Sequence, residues 1–219
     1  MKKMNALDFN NHGDPMRNHK TLPNLKNWQT ESEKAMGHKA GAAFLIRVQS
    51  KYNELFGQAR QYENKALQQH FDNNIMPAMA AYSVLLDDGK DKESALQVID
   101  RLLEATIDSA RTMYRFWGRF PFFFDMIRIM LKPMMKKNYP ERWNIEWLDL
   151  GHDVTGMNCR ACFYLDTLTD YGFAELTPHF CRLDELLAAE ATPSIRFERT
   201  QTLARGGTMC DFRYVRVKR

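Results

Sequence analysis

Ser194-Ile195-Arg196-Phe197-Glu198-Arg199-Thr200-Gln201-Thr202-Leu203-Ala204, then Arg205-Gly206-Gly207, then Thr208-Met209-Cys210-Asp211-Phe212-Arg213-Tyr214-Val215-Arg216-Val217 is the stretch that decides the fold class. On both sides of the glycine pair, apolar and polar residues alternate with the period of half-buried strands. A Gly-Gly pair supplies the positive φ angles of a tight hairpin. Residues 143–149, Trp-Asn-Ile-Glu-Trp-Leu-Asp, alternate in the same way, whereas the chain from Thr30 to Pro140 has a helical period. The chain therefore reads as α+β: a helical N-terminal half followed by an antiparallel sheet with packed helices.

Thr30 is a cap ahead of Glu31 and Glu33, and apolar residues return at spacings of three and four through Phe71, predicting a helix over 30–71. Pro77 interrupts or opens the next, over 78–86; a third runs from near Asp91 towards Trp117; after Pro121 a fourth covers 122–137 with a kink at Pro133. Further on, 151–156 reads as a turn or bulge, 158–171 as a helix closed by Gly172, and a short helix runs from Thr177 or Pro178 to about Ala188. Residues 1–28, broken by Gly13, Pro15 and Pro23, read as a flexible N-terminal arm. Residues 29–219 read as one α+β domain, with 29–140 its helical part and 141–219 its sheet-containing part. Gly37 and Gly41 sit four apart, a spacing that allows close helix packing but is more often an accident of composition.

With 219 residues, 44% hydrophobic and 12% aromatic, the chain can bury a real core. Its 31 basic and 27 acidic residues are interleaved, which argues against a nucleic-acid partner. The polar first 28 residues lack the apolar core of a secretory signal. A cytoplasmic location follows, where the four cysteines are free thiols. Residues 116–135 are rich in Phe, Ile and Met, but Arg119, Asp125, Arg128 and Lys132 rule out a membrane span. The basic end at Lys132, Lys136 and Lys137 would suit a bilayer surface, although a buried helix lining a core or apolar pocket is the stronger reading. This helix could also form a homodimer face. Exposure of its apolar side discriminates among these readings.

Cys159 and Cys162 form a C-x-x-C pair, but the further ligands available, His179, Cys181 and Cys210, do not follow a zinc-ribbon or knuckle spacing, so neither metal nor cofactor is expected. On helices, Cys162 and Asp166 share a face, as do Cys181 and Asp184. On a strand, Cys210 and Asp211 point to opposite sides, leaving Asp211 to pair with Arg199 or Arg213 or to accept from Thr200 or Thr202. A buried thiol usually only packs a core. It becomes a nucleophile where a cation or a helix N-terminus lowers its pKa. Cys181, in the first turn of its helix beside His179 and Arg182, meets that condition slightly better than Cys210. His152 and His179, the nearest histidines, read as solvated or capping.

The ordered run Cys162-Phe163-Tyr164, Tyr171-Gly172, Glu175-Leu176, Phe180-Cys181-x-x-Asp184, Phe197-x-Arg199-Thr200-x-Thr202-Leu203-Ala204-x-Gly206-Gly207 and Cys210-Asp211-Phe212 resembles the C-terminal signature of the L-2-amino-thiazoline-4-carboxylic acid hydrolase family. The resemblance covers roughly residues 140–214. It implies hydrolysis of a C–N or C–S bond in a small cyclic amidine or carbamoyl compound, without a cofactor. It marks Cys181, Cys210, Cys162, Asp184 and Asp211 as candidate catalytic residues, and Arg199, Thr202, Tyr164, Gly206 and Gly207 as candidate substrate-binding residues. In that scheme a thiolate or activated water attacks the ring carbon, Asp184 or Asp211 serves as base or orients the amidinium, and Arg199 grips the carboxylate. The arrangement is also similar to vinyl-reductase-type ligand-binding domains. With 13 methionines and the Phe cluster at 120–124, the competing reading is a non-catalytic module for an apolar ligand, a carrier-bound intermediate or a protein partner.

Overall fold

The structure, a computed structural model, describes residues 20–139 and 141–218. Its helical half contains α1 (Leu25–Met36), α2 (His38–Gln58), α3 (Lys65–His70), α4 (Met76–Asp87) and α5 (Lys92–Thr106). The sequence of α4, Met-Pro-Ala-Met-Ala-Ala-Tyr-Ser-Val-Leu-Leu-Asp, is apolar nearly all round, so it is driven to the centre of the helical layer. There α2 and α5 pack against it, and α1 lies across both. Ala78, Ala80 and Ala81 are wholly buried and keep these contacts close. A π-helical turn, Phe71–Ile75, joins α3 to α4 and rotates the face that α3 presents. Asp91 caps α5 by accepting hydrogen bonds from the Ser94 amide at 2.9 Å and hydroxyl at 2.7 Å.

Two further helices, α6 (Asp108–Trp117) and α7 (Phe123–Asn138), lead to β1 (Ile145–Leu148) and β2 (Val154–Cys159). Then come α8 (Phe163–Asp170), α9 (Thr177–Ala189), β3 (Ile195–Glu198) and β4 (Cys210–Arg216). The strands form one antiparallel sheet in the order β1-β2-β4-β3. The register pairs Ile145 with Cys159, Cys159 with Cys210, and Phe197 with Tyr214, so these side chains share the inner face. Leu131 and Met135 of α7 cover part of that face against Met157, Cys159 and Cys210. Phe123 and Phe124 pack with Ala191 and Ile195.

The α+β class and the order of its halves hold, while several boundaries move. The helix predicted over 30–71 is broken at Gly37 and again between α2 and α3. At Gly41 a Cβ would stand 2.7 Å from the Glu33 nitrogen, so here the glycine does permit α1 and α2 to pack closely. The predicted third helix divides at Ile107 into α5 and α6. Most of the expected arm, residues 1–19, lies outside the described residues, but its end joins the core: Leu22 and Trp28 are buried. The expected turn at 151–156 contains the start of β2, and the helix expected from 158 begins only at Phe163. The tight Gly-Gly hairpin is replaced by a broad loop between β3 and β4 with a 3-10 turn at Leu203–Arg205. Asp211 accounts for this departure, because it accepts both the Thr200 and Gln201 amides and draws the chain away from the ladder before the glycines are reached. Of the pair, Gly206 alone takes a positive φ, 81°.

Candidate active site

The site is built where α8 and α9 face the inner side of the sheet. Asp184 is its centre. Its side chain keeps 47% of its accessible surface, yet burial dominates its chemistry and pushes the carboxyl up to about 6 against the pull of Arg199. The charge of Asp184 reaches the hydroxyls of Tyr114, Tyr139, Tyr164 and Tyr214 and the thiols of Cys159, Cys181 and Cys210. Among the described residues, the hydroxyls of Tyr114, Tyr139 and Tyr214 have no hydrogen-bond partner, although each ring is half-buried. They are free to meet a ligand.

Arg199 holds one wall together. Its side chain is 3% exposed, and its terminal nitrogens donate to Asp184 at 3.0 Å, the Cys181 carbonyl at 2.9 Å and Glu185 at 2.6 Å. The Phe197 and Phe212 rings lie beside the guanidinium, at 5.6 and 5.2 Å. The fork expected to grip a substrate carboxylate is thus already occupied by the protein's own acceptors. Outside this wall, Thr202, Gly206 and Gly207 line a cleft of about 310 Å³ together with Glu185, Arg199 and Arg205. The Thr202 hydroxyl is buried there without a partner among the described residues. Asp211 stands on the face opposite Cys210, bound to Thr200 through both amide and hydroxyl. Burial raises its carboxyl, but the hydrogen bonds from Thr200 and Gln201 outweigh this and hold it below the usual value.

The cysteines converge without becoming thiolates. Burial, followed by smaller effects that include neighbouring thiols, pushes Cys159 and Cys181 up to about 12 and Cys162 up to about 11, and it raises Cys210 as well. Cys181 lies in the second turn of α9 rather than the first. The cations expected beside it face the other way: His179 meets Asp100 at 2.8 Å, and Arg182 pairs with Glu104 and Asp100, all towards α5. At about 100° per residue, positions 179 and 182 share one helix face while 181 and 184 share another. Cys162 is the N-cap of α8 rather than a helical residue, and its sulfur accepts the Leu165 amide at 3.5 Å. Among the described residues no group of three or more His, Cys, Asp or Glu side chains is arranged to hold a metal ion.

His70, which sequence reasoning did not single out, is the histidine at the site. Its Nε2 meets the Asn138 carbonyl at 2.8 Å and so carries the proton; Nδ1 therefore accepts the Tyr164 hydroxyl at 2.9 Å. Burial lowers its pKa, and the Asn138 bond partly opposes that shift. Asn74, within the π-helical turn, lies near the same Tyr164 hydroxyl. No local motif marks His70, because the turn that aims it is set by packing. Tyr214 was not singled out either, but it carries a signal, since it follows Cys210 and Phe212 at the two-residue period of one strand face.

A helical layer and a four-stranded antiparallel sheet, with one carboxylate, several thiols and several phenols gathered near the sheet's inner face, define an α+β protein. The chain belongs to the L-2-amino-thiazoline-4-carboxylic acid hydrolase family, whose model matches residues 17–214. No curated protein matches it. A solved structure, the Fe(II) unliganded H-NOX protein from K. algicida, aligns over 90% of this chain and 96% of its own at 9% identity, with a TM-score of 0.34. At that distance the likeness carries no argument. Among the described residues no helix is long and apolar enough to cross a membrane.

Proposed function

We propose that the protein hydrolyses a C–N or C–S bond in a small cyclic amidine or carbamoyl compound related to 2-aminothiazoline-4-carboxylate, with Asp184 as general base. The observation that carries this reading is the half-exposed Asp184 carboxyl, pushed up to about 6 and held 3.0 Å from the buried Arg199 guanidinium among thiols and phenols that its charge reaches. Such a group is ionised near neutrality and still basic enough to take a proton from an attacking water. As the water oxygen bonds to the amidine carbon, its proton passes to Asp184 and then to the departing nitrogen or sulfur. The Tyr164 oxygen, fixed by His70, accepts an amidine N–H, and the free Tyr139 and Tyr214 hydroxyls donate to the substrate carboxylate. Arg199 acts through Asp184, tuning and orienting it. Asp211 acts through the 199–209 loop.

Attack by the Cys162 sulfur is the second reading, favoured by the Leu165 amide at a helix N-terminus. The test is incubation of purified protein with 2-aminothiazoline-4-carboxylate, following carbamoyl-cysteine and cysteine by mass spectrometry. Asp184→Asn should reduce turnover by about 100-fold or more while Cys162→Ala, Cys181→Ala and Cys210→Ala retain it. Loss in Cys162→Ala alone would transfer the chemistry to the thiol. Absence of turnover by the wild type, together with saturable ligand binding, would make this a non-catalytic binding protein.

A further inference from the structure

We propose that the exposed aromatic edge formed by α6 and the start of α7 docks the protein on an anionic bilayer surface. This rests on a different face from the proposed reaction and does not depend on it.

Helix α6 contains no buried residue. Yet it is sharply two-faced: Met113, Phe116 and Trp117 follow the i, i+3, i+4 spacing and are 48%, 51% and 38% exposed. The patch continues through Phe120 and Phe122. Phe116 contacts Trp117 and Phe120, Trp117 contacts Phe122, and Phe120 stacks on Phe122 at 5.5 Å. Helix α7 adds Ile129, Met130 and Met134, although its opposite side is buried in the core through Phe123, Phe124 and Leu131. Of 11 exposed large hydrophobic residues among the described residues, 8 fall between positions 113 and 134. An apolar surface gathered in this way marks an interaction site rather than scattered surface residues.

Charge selects the occupant. Residues 108–138 hold seven Lys and Arg against only Asp108 and Asp125, a local excess of +5 in a chain whose net charge is +4. Arg111 and Arg115 are tied to Glu190, and Asp125 to Arg216, but Lys136 and Lys137 have no ion pair among the described residues. A second copy of the chain would bring one excess of positive charge against another, which disfavours self-association. A neutral apolar partner would leave the charge unused. An anionic bilayer uses both features, seating Trp and Phe at the headgroup boundary and attracting Lys and Arg electrostatically.

The test is flotation of full-length protein with vesicles of phosphatidylcholine alone or phosphatidylcholine with phosphatidylserine, at low and high salt. The wild type should float with the anionic vesicles and lose most of that binding in high salt. Lys136→Glu combined with Lys137→Glu should weaken binding by roughly tenfold or more. Phe116→Ser combined with Phe122→Ser should weaken it at either salt concentration while the circular dichroism spectrum stays native, because both side chains are already exposed. Failure to bind either vesicle would overturn the proposal, as would a sedimenting dimer that the Phe116→Ser, Phe122→Ser variant dissolves. Equal binding to neutral and anionic vesicles would overturn its electrostatic part.

Discussion

Helix α4 and the inner face of the sheet are both interior surfaces, and they are filled in opposite ways. Along α4, Met76, Met79, Tyr82 and Leu85 have no exposure at all, and the alanines between them complete a packed surface. On the sheet, Phe197, Phe212 and Tyr214 remain half-buried, and the facing Asp184 keeps nearly half of its surface. Burial stabilises the first region. The second is less completely buried, and in it a carboxylate, thiols and phenols lie close enough to shift one another. Stability and chemistry are therefore separable in this chain, which offers ways to break the comparison.

The largest expected effect is on the packed side. Leu85→Ala should destabilise the fold by about 2–5 kcal/mol in urea unfolding, since it leaves a void that neighbouring helices cannot close. Below that comes Asp184→Asn, with about 100-fold lower kcat/KM and little loss of stability. A loss of folding comparable to Leu85→Ala would erase the division between the two regions. Its pH dependence sharpens the point. The native carboxyl, at about 6, lies above its ordinary value of 3.8, so between these values the native state binds more protons than the unfolded state. The stability attributable to Asp184 is therefore greatest below that range and lost as pH rises through about 6. Melting curves should show Asp184→Asn gaining on the wild type as pH increases across that window, while the wild-type rate rises over the same interval.

Arg199→Lys should cost about 1–3 kcal/mol in thermal or denaturant unfolding, because an ammonium cannot reproduce the fork between Asp184, Glu185 and the Cys181 carbonyl. The smallest stability effect is expected at Tyr139→Phe, within about 0.5 kcal/mol, since its hydroxyl has no hydrogen bond to lose among the described residues. If that hydroxyl meets substrate, KM should nevertheless rise several-fold. An unchanged KM would remove Tyr139 from the binding surface.

Much of the fold was legible because periodicity is local. The all-round apolar pattern of α4 and the alternation through Cys210, Phe212 and Tyr214 each require only a few neighbouring residues to read. The broad loop after β3 was not legible as such, since the decisive bonds run from Asp211 back to Thr200 and Gln201. Cys181 shows the same limit: His179 and Arg182 are its neighbours in sequence but belong to another face of α9, where Asp100 and Glu104 claim them. His70 and Tyr164, 94 positions apart, meet only after the π-helical turn has set the direction of α3.

By itself the sequence determined the α+β class, the order of its halves, the alternating strand faces and the family signature, all properties of residue type and short spacing. Tertiary structure alone decided that the sheet order is β1-β2-β4-β3, that Arg199 is occupied by internal acceptors, and that Asp184 stands beside that buried guanidinium with its carboxyl raised. The physical reason is that desolvation, charge coupling and hydrogen-bond competition depend on which groups surround an atom in space, and elements distant along the chain supply those groups.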